Sequence, residues 1–77
     1  MYEKIIKKIM ELMGEKLVAR KSELIECVKG DIKGNPHSPK QVVDSITKML
    51  VQKDFITRIY ASETTFAITQ KGMRNVK

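Results

Sequence analysis

With 77 residues, the chain is one small domain. A domain of that size buries only roughly 60–65% of its unfolded surface and has no room for an active site enclosed between two lobes. Fifteen Lys and Arg against nine Asp and Glu leave a formal charge of +6, which favours an anionic partner such as nucleic acid, an anionic membrane or an acidic protein. One Cys and one His exclude an intramolecular disulfide and the usual zinc ligand sets.

The elements follow in chain order. In "MYEKIIKKIMELM" the residues Ile5, Ile6, Ile9, Met10, Leu12 and Met13 recur at spacings of three and four. That pattern predicts an amphipathic helix over about 2–13, with Gly14 as a stop. The same stretch mixes Lys and Glu and lacks the continuous apolar run of a signal peptide. No segment has the length of a membrane span. An intracellular protein is therefore expected: cytoplasmic or nucleoid-associated, or nuclear if eukaryotic. Leu17–Ala19 reads as a short strand or an extended link. Ser22 reads as the N-cap of a second helix over about 22–32, on the stripe Leu24, Ile25 and Val28 with Cys27 beside it. "KGDIKGNPHS" carries two glycines and an Asn-Pro step and reads as a loop.

"SPKQVVDSITKML" begins with strong helix signals. Ser38 suits the N-cap, Pro39 the first helical position, and Gln41 the partner position of a capping box. A third helix is expected over about 39–53. Its apolar stripe is Val43, Ile46 and Leu50, flanked by Val42 and Met49. Its opposite stripe is Lys40, Gln41, Asp44, Ser45 and Lys48. Then the pattern changes: "FITRIY" and "TTFAIT" are rich in β-branched and aromatic residues, with the polar "ASET" between them. They predict a β-hairpin with strands over about 55–60 and 64–69, whose Phe55, Ile56, Phe66 and Ile68 cover the open side of the helices. The tail 70–77 is basic and shows no period. The class is α+β: three helices that bury their stripes against one another, closed by a hairpin.

That order is the plan of a winged helix, a helix-turn-helix core followed by a hairpin wing. "ITKMLVQKDFITR" and "FAITQKG" resemble the end of a recognition helix, the first wing strand and the returning strand of the winged helix-turn-helix DNA-binding family. The second stretch is similar to the aromatic-x-hydrophobic-Thr-x-x-Gly ending common in small prokaryotic regulators. One departure is Asp54, where many such regulators have Gly; a different turn into the wing is expected there. A second resemblance is to the C-terminal winged-helix module of cullins, through "IIKKIM", "MLVQKDFITR" and "TTFAI". Glu11 stands after Ile9 and Met10 where that family has its acceptor Lys, so that function does not carry over.

The first resemblance implies a binder of double-stranded DNA, a small transcriptional regulator, with the third helix in the major groove. Ser38, Lys40, Gln41, Asp44, Ser45 and Lys48 are then the probing side chains: Lys donates to guanine, Gln pairs with adenine and Ser contacts either base edges or phosphate. Asp44 repels phosphate, but a carboxylate in that place accepts from cytosine or orients a neighbouring Lys. On the wing, Arg58, Tyr60, Ser62, Thr64 and Thr65 suit phosphate or minor-groove contact; the same residue types also belong in strands, and Arg58 equally suits a local ion pair. Arg20, Lys21 and Ser22 at a helix start make a phosphate seat, and Lys71, Arg74 and Lys77 a basic tail that tracks the backbone. One module offers a small interface, so a homodimer on a two-fold site is expected. No cofactor, metal or membrane partner is implied. His37 reads as an exposed loop residue, Cys27 as core filler, and Met10, Met13 and Met49 as gap-fillers. With no phosphate-binding Gly loop and no carboxylate pair in an apolar setting, the chain does not read as an enzyme. The second resemblance implies instead a protein-interaction module that binds duplex DNA weakly.

Overall fold

A computed structural model describes residues 2–34 and 36–76. It is an α+β structure of four helices and a three-stranded antiparallel sheet. In chain order these are α1 (Glu3–Lys16), β1 (Val18–Arg20), α2 (Lys21–Val28), α3 (Pro39–Gln52), β2 (Ile56–Ile59), β3 (Thr65–Ile68) and α4 (Gln70–Val76). The sheet order is β1-β3-β2, so the last strand lies between the other two.

Helix α1 does not stop at Gly14; it runs two residues further. Gly14 faces Val76 of α4, and a Cβ there would meet the Val76 side chain at 3.3 Å. The missing side chain serves close helix packing rather than termination. The helix ends instead at Leu17, which takes φ +69° and donates its N–H to the Met13 carbonyl. The short strand is shifted by one residue from the expected Leu17–Ala19. Ile9 and Met13 of α1 are fully buried, with Ile5 and Met10 close behind.

The N-cap of α2 lies two residues earlier than expected. Arg20 takes that position, and Ser22 lies inside the first turn. The Arg20 N–H is satisfied by the Glu23 carboxylate at 3.0 Å, which takes the place of a Ser cap. The helix ends at Val28 and not at Ile32. Ile32 is buried nonetheless, carried into the core by turns over 29–34. Asn35 of the expected Asn-Pro loop lies outside the described residues.

Helix α3 carries the expected cap in full. The Ser38 Oγ accepts from the Gln41 N–H at 3.2 Å, and Gln41 Oε1 accepts from the Ser38 N–H at 3.0 Å. Val42, Val43, Ile46 and Leu50 are buried, while Met49 is partly buried against the core. Thr47 is buried too, its hydroxyl donating to the Val43 carbonyl at 2.8 Å. The hairpin closes the core with Ile56 and Phe66, both buried, and Phe55 and Ile68, both partly buried. Its strands are shorter by one residue at each end than the pattern implied.

The tail is the largest correction. Residues 70–76 form α4, packed on α1; Lys77 lies outside the described residues. Thr69 starts this helix: its Oγ accepts from the Gly72 N–H at 3.0 Å, and the hydroxyl reaches the Asp54 and Phe55 carbonyls at 2.6 and 3.0 Å. One threonine thus caps α4 and pins the turn into β2.

That turn resolves the question of Asp54. Its φ is +64°, the left-handed region that Gly favours and Asp tolerates. The backbone therefore makes the turn a Gly would make, contrary to the expectation of a different one. Asp54→Gly is expected to leave stability within about 0.5 kcal/mol, because relief at positive φ offsets the added freedom of the unfolded chain. Asp54→Val is expected to lose about 1–2 kcal/mol. Urea midpoints of the two variants check this.

A candidate nucleic-acid interface

Helix α3 buries one side and exposes Lys40, Gln41, Asp44, Ser45 and Lys48. β2 and β3 pack beside it so that Arg58, in register with the buried Phe66, lies on the helix-facing side of the sheet. Between them is an open cleft of about 380 Å³. Lys21, Asp44, Lys48, Arg58, Gln52 and Thr64 line it, and Phe66 contributes an apolar wall. Three cations share this cleft with one carboxylate.

The charges are arranged unequally. Lys21 pairs with Asp44, which ties the start of α2 to the middle of α3. Among the described residues Lys48 and Arg58 form no ion pair; neither does Lys40, further toward the start of α3. Arg58 meets no carboxylate but stands over the Tyr60 ring, its guanidinium carbon 5.6 Å from the ring centre. Tyr60 is 88% exposed at the end of β2, so the pair forms a cationic and aromatic edge on the hairpin. Ser62 is exposed at the hairpin tip. The Thr64 carbonyl accepts from the Lys21 N–H at 2.9 Å, fixing the base of the hairpin to α2.

The expected residues do not all gather here. Ser38 and Gln41 have their oxygens engaged in the α3 cap. Gln41 and Ser45 line a separate hollow with Tyr2 and His37 and are not among the residues that line the cleft. The phosphate seat at the start of α2 is closed by the protein's own groups. Glu23 holds the Arg20 backbone and side chain and pairs with Lys16, and the Ser22 hydroxyl donates to Glu63 at 2.6 Å. The helix start is thus flanked by two carboxylates, which repel phosphate. Lys71 sits over the Phe55 ring at 5.6 Å. Arg74 lies with Leu17, Val18 and Met73 in a different groove. Neither joins the cleft.

Three residues that line the cleft were missed: the buried Thr47, and Val51 and Gln52. Val51 is 39% exposed. The signal for Val51 and Gln52 was in the sequence: Val51 follows Lys48 by three positions and Gln52 follows it by four, which places them on the same stripe. The expected helix was long enough to include them, but the stripe was ended at Lys48.

The Glu23 carboxyl titrates far below its ordinary range. The Arg20 backbone N–H, then the Lys16 ammonium and the Arg20 side chain, favour the charged form and lower its pKa from 4.5 to about 2. Because the folded value lies below the unfolded one, this stabilisation is present above pH 4.5 and is lost as pH falls toward 2. Asp31, lowered by its hydrogen bond from Lys8, acts in the same direction. The stability of a Glu23→Gln variant is expected to fall less steeply over that window, as measured by thermal midpoints at successive pH values.

Among the described residues no three His, Cys, Asp or Glu side chains come together as a metal site, and no helix is long and apolar enough to cross a membrane. Comparisons with protein-family models, curated proteins and solved structures find no match to this chain.

Proposed function

We propose that this is a winged-helix protein that binds double-stranded DNA, a small intracellular transcriptional regulator that presents α3 to the major groove and the β2–β3 hairpin, as a wing, to the phosphate backbone. The observation that carries this reading is the cleft between α3 and the hairpin, where Lys48 and Arg58 stand without a carboxylate partner among the described residues. The order of helices and strands, with β3 between β1 and β2, is compatible with that fold. The net charge of +6 supplies long-range attraction to a polyanion. An exposed helix of this length fits the major groove. Lys40 and Lys48 are its donors to guanine or phosphate, and Val51 is an apolar group suited to a thymine methyl. Arg58 and Tyr60 meet the backbone or the minor groove. No cofactor enters this mechanism. A single module of this size makes a small contact, so two copies on a two-fold site are expected, which sedimentation with and without duplex tests.

The test of DNA binding is fluorescence anisotropy of labelled duplex DNA at several salt concentrations, with random duplex as competitor. Binding is expected to weaken with a log–log slope of about −0.9 per phosphate neutralised. Persistence against competitor on a selected sequence would establish sequence reading. Absence of binding at micromolar protein in low salt would overturn the proposal and favour a protein partner for the same face.

A further inference from the structure

The sheet has a second face. Cross-strand register places Val18, Ala67 and Thr57 in one row and Arg20, Thr65 and Ile59 in the next. Strand alternation puts both rows on the side opposite Ala19, Phe66 and Arg58, away from α3 and its cleft. In these rows Thr57 and Arg20 are exposed, and Thr65 and Ala67 are half-buried. Val18 is 46% exposed and Ile59 37%. At the β1 edge the face deepens into a groove of about 500 Å³ against α4, lined by Leu17, Val18, Ala67, Met73 and Arg74 among others.

Leu17 is the most exposed residue of this groove's apolar wall, at 53%, and it is held at φ +69°. A bulky side chain is costly in that region, where Gly or Asn would relieve the backbone. The chain nonetheless presents a leucine to solvent there. Among the described residues, two of the five exposed large apolar side chains, Leu17 and Val18, line this groove, and a third, Ile59, lies across the same face on β2. Scattered single apolar residues need no explanation, but a contiguous patch marks a contact surface.

Charge decides what fits it. Arg74 is the only charged residue among the described residues that line the groove. Arg20 on the neighbouring row is already paired with Glu23, and no carboxylate lies among the described residues that line the groove. A second copy of this chain would bring the same Arg74 to the same patch. A nucleic acid would bring the anion but no side chains for Leu17, Val18 and Met73. We infer that the outer face of the sheet, from Leu17 and Val18 across to Met73 and Arg74, docks an acidic segment of another protein whose apolar side chains enter the groove and whose carboxylates meet Arg74. The surface is separate from the α3 cleft, so both are available at once, and the inference stands whether or not the cleft binds DNA.

The experiment is selection of a random decapeptide display library on the intact chain, followed by binding of the enriched peptides to Val18→Asp and Arg74→Glu variants whose thermal midpoints match the parent. Enriched peptides are expected to carry Asp or Glu interspersed with Leu, Ile or Val. They should bind either variant about tenfold or more weakly, and duplex DNA should not compete with them. The inference is overturned if nothing is enriched, if the peptides lack an acidic bias, if both variants bind them unchanged, or if DNA displaces them, which would place them on α3. It is equally overturned if the free chain self-associates through this face, seen as concentration-dependent amide shifts at Val18 and Ala67 without peptide.

Discussion

Gly72→Ala is expected to lower stability by about 3 kcal/mol, although the same change in an ordinary helix raises it by about 1 kcal/mol. The reversal of sign comes from one contact. A Cβ at Gly72 would lie 2.1 Å from the Phe55 carbonyl oxygen and 2.8 Å from an Ile68 side-chain carbon. The first is backbone and cannot swing aside. That carbonyl also accepts the Thr69 N–H at 3.1 Å and faces the Thr69 hydroxyl at 3.0 Å. Moving it disturbs the cap of α4 and the turn at Asp54 together. For a domain of this size the loss corresponds to roughly 12–24 °C in the melting midpoint, and from a total near 5 kcal/mol it leaves about 2 kcal/mol, so the variant stays folded at 25 °C with roughly 3% of the chains unfolded. Thermal denaturation followed by circular dichroism reads the change. A variant as stable as the parent would show that α4 does not press on the β2 turn. Thr69→Val separates the two parts of the device. It keeps the shape but leaves the Gly72 N–H without its acceptor, and is expected to cost about 1–2 kcal/mol.

The helices were legible because their signals are local. Ser38, Pro39 and Gln41 announce the start of α3, and the buried stripes follow from spacing alone. The strands were legible from β-branched and aromatic runs. What was not legible depended on contacts between distant residues. "QKGMRNVK" has too few positions to show a period. It becomes helical through Thr69, through the approach of Gly72 to Phe55 and through Val76 against Gly14, and none of these is visible in a window of seven. Gly14 looked like a stop because glycine ends helices more often than it makes room for another one. Ser22 looked like a cap because the register of α2 is set by Glu23 and by the Lys21 bond to Thr64, more than forty positions away. The candidate site was legible in the same uneven way. Lys48 and Arg58 were identifiable as basic residues on a helix and a strand, but their closeness, and the neutralisation of Lys21 by Asp44, exist only once β2 and α2 are docked on α3.

Lys48→Glu with Arg58→Glu is expected to weaken duplex DNA binding roughly 100-fold at physiological salt and to flatten the log–log salt slope by roughly 2. Each reversal removes one phosphate neutralisation and sets a carboxylate in its place. Both side chains are exposed and neither has an ion pair among the described residues to lose, so the melting midpoint is expected to stay near the parent value. Asp44→Asn works in the opposite direction. It removes the lone carboxylate from the cleft lining and releases the Lys21 ammonium, so affinity is expected to rise several-fold and the slope to steepen by about 1. The opposite signs matter, because a folding defect weakens binding in every variant and strengthens it in none. Lys4→Glu with Lys7→Glu, on α1, changes the net charge as much as the double cleft variant but leaves the cleft intact. Long-range attraction alone predicts equal losses from the two pairs, whereas local neutralisation in the α3 cleft predicts a large loss only from Lys48 and Arg58. Anisotropy titrations of the four proteins on one duplex decide between them, and equal losses would move the binding surface off α3.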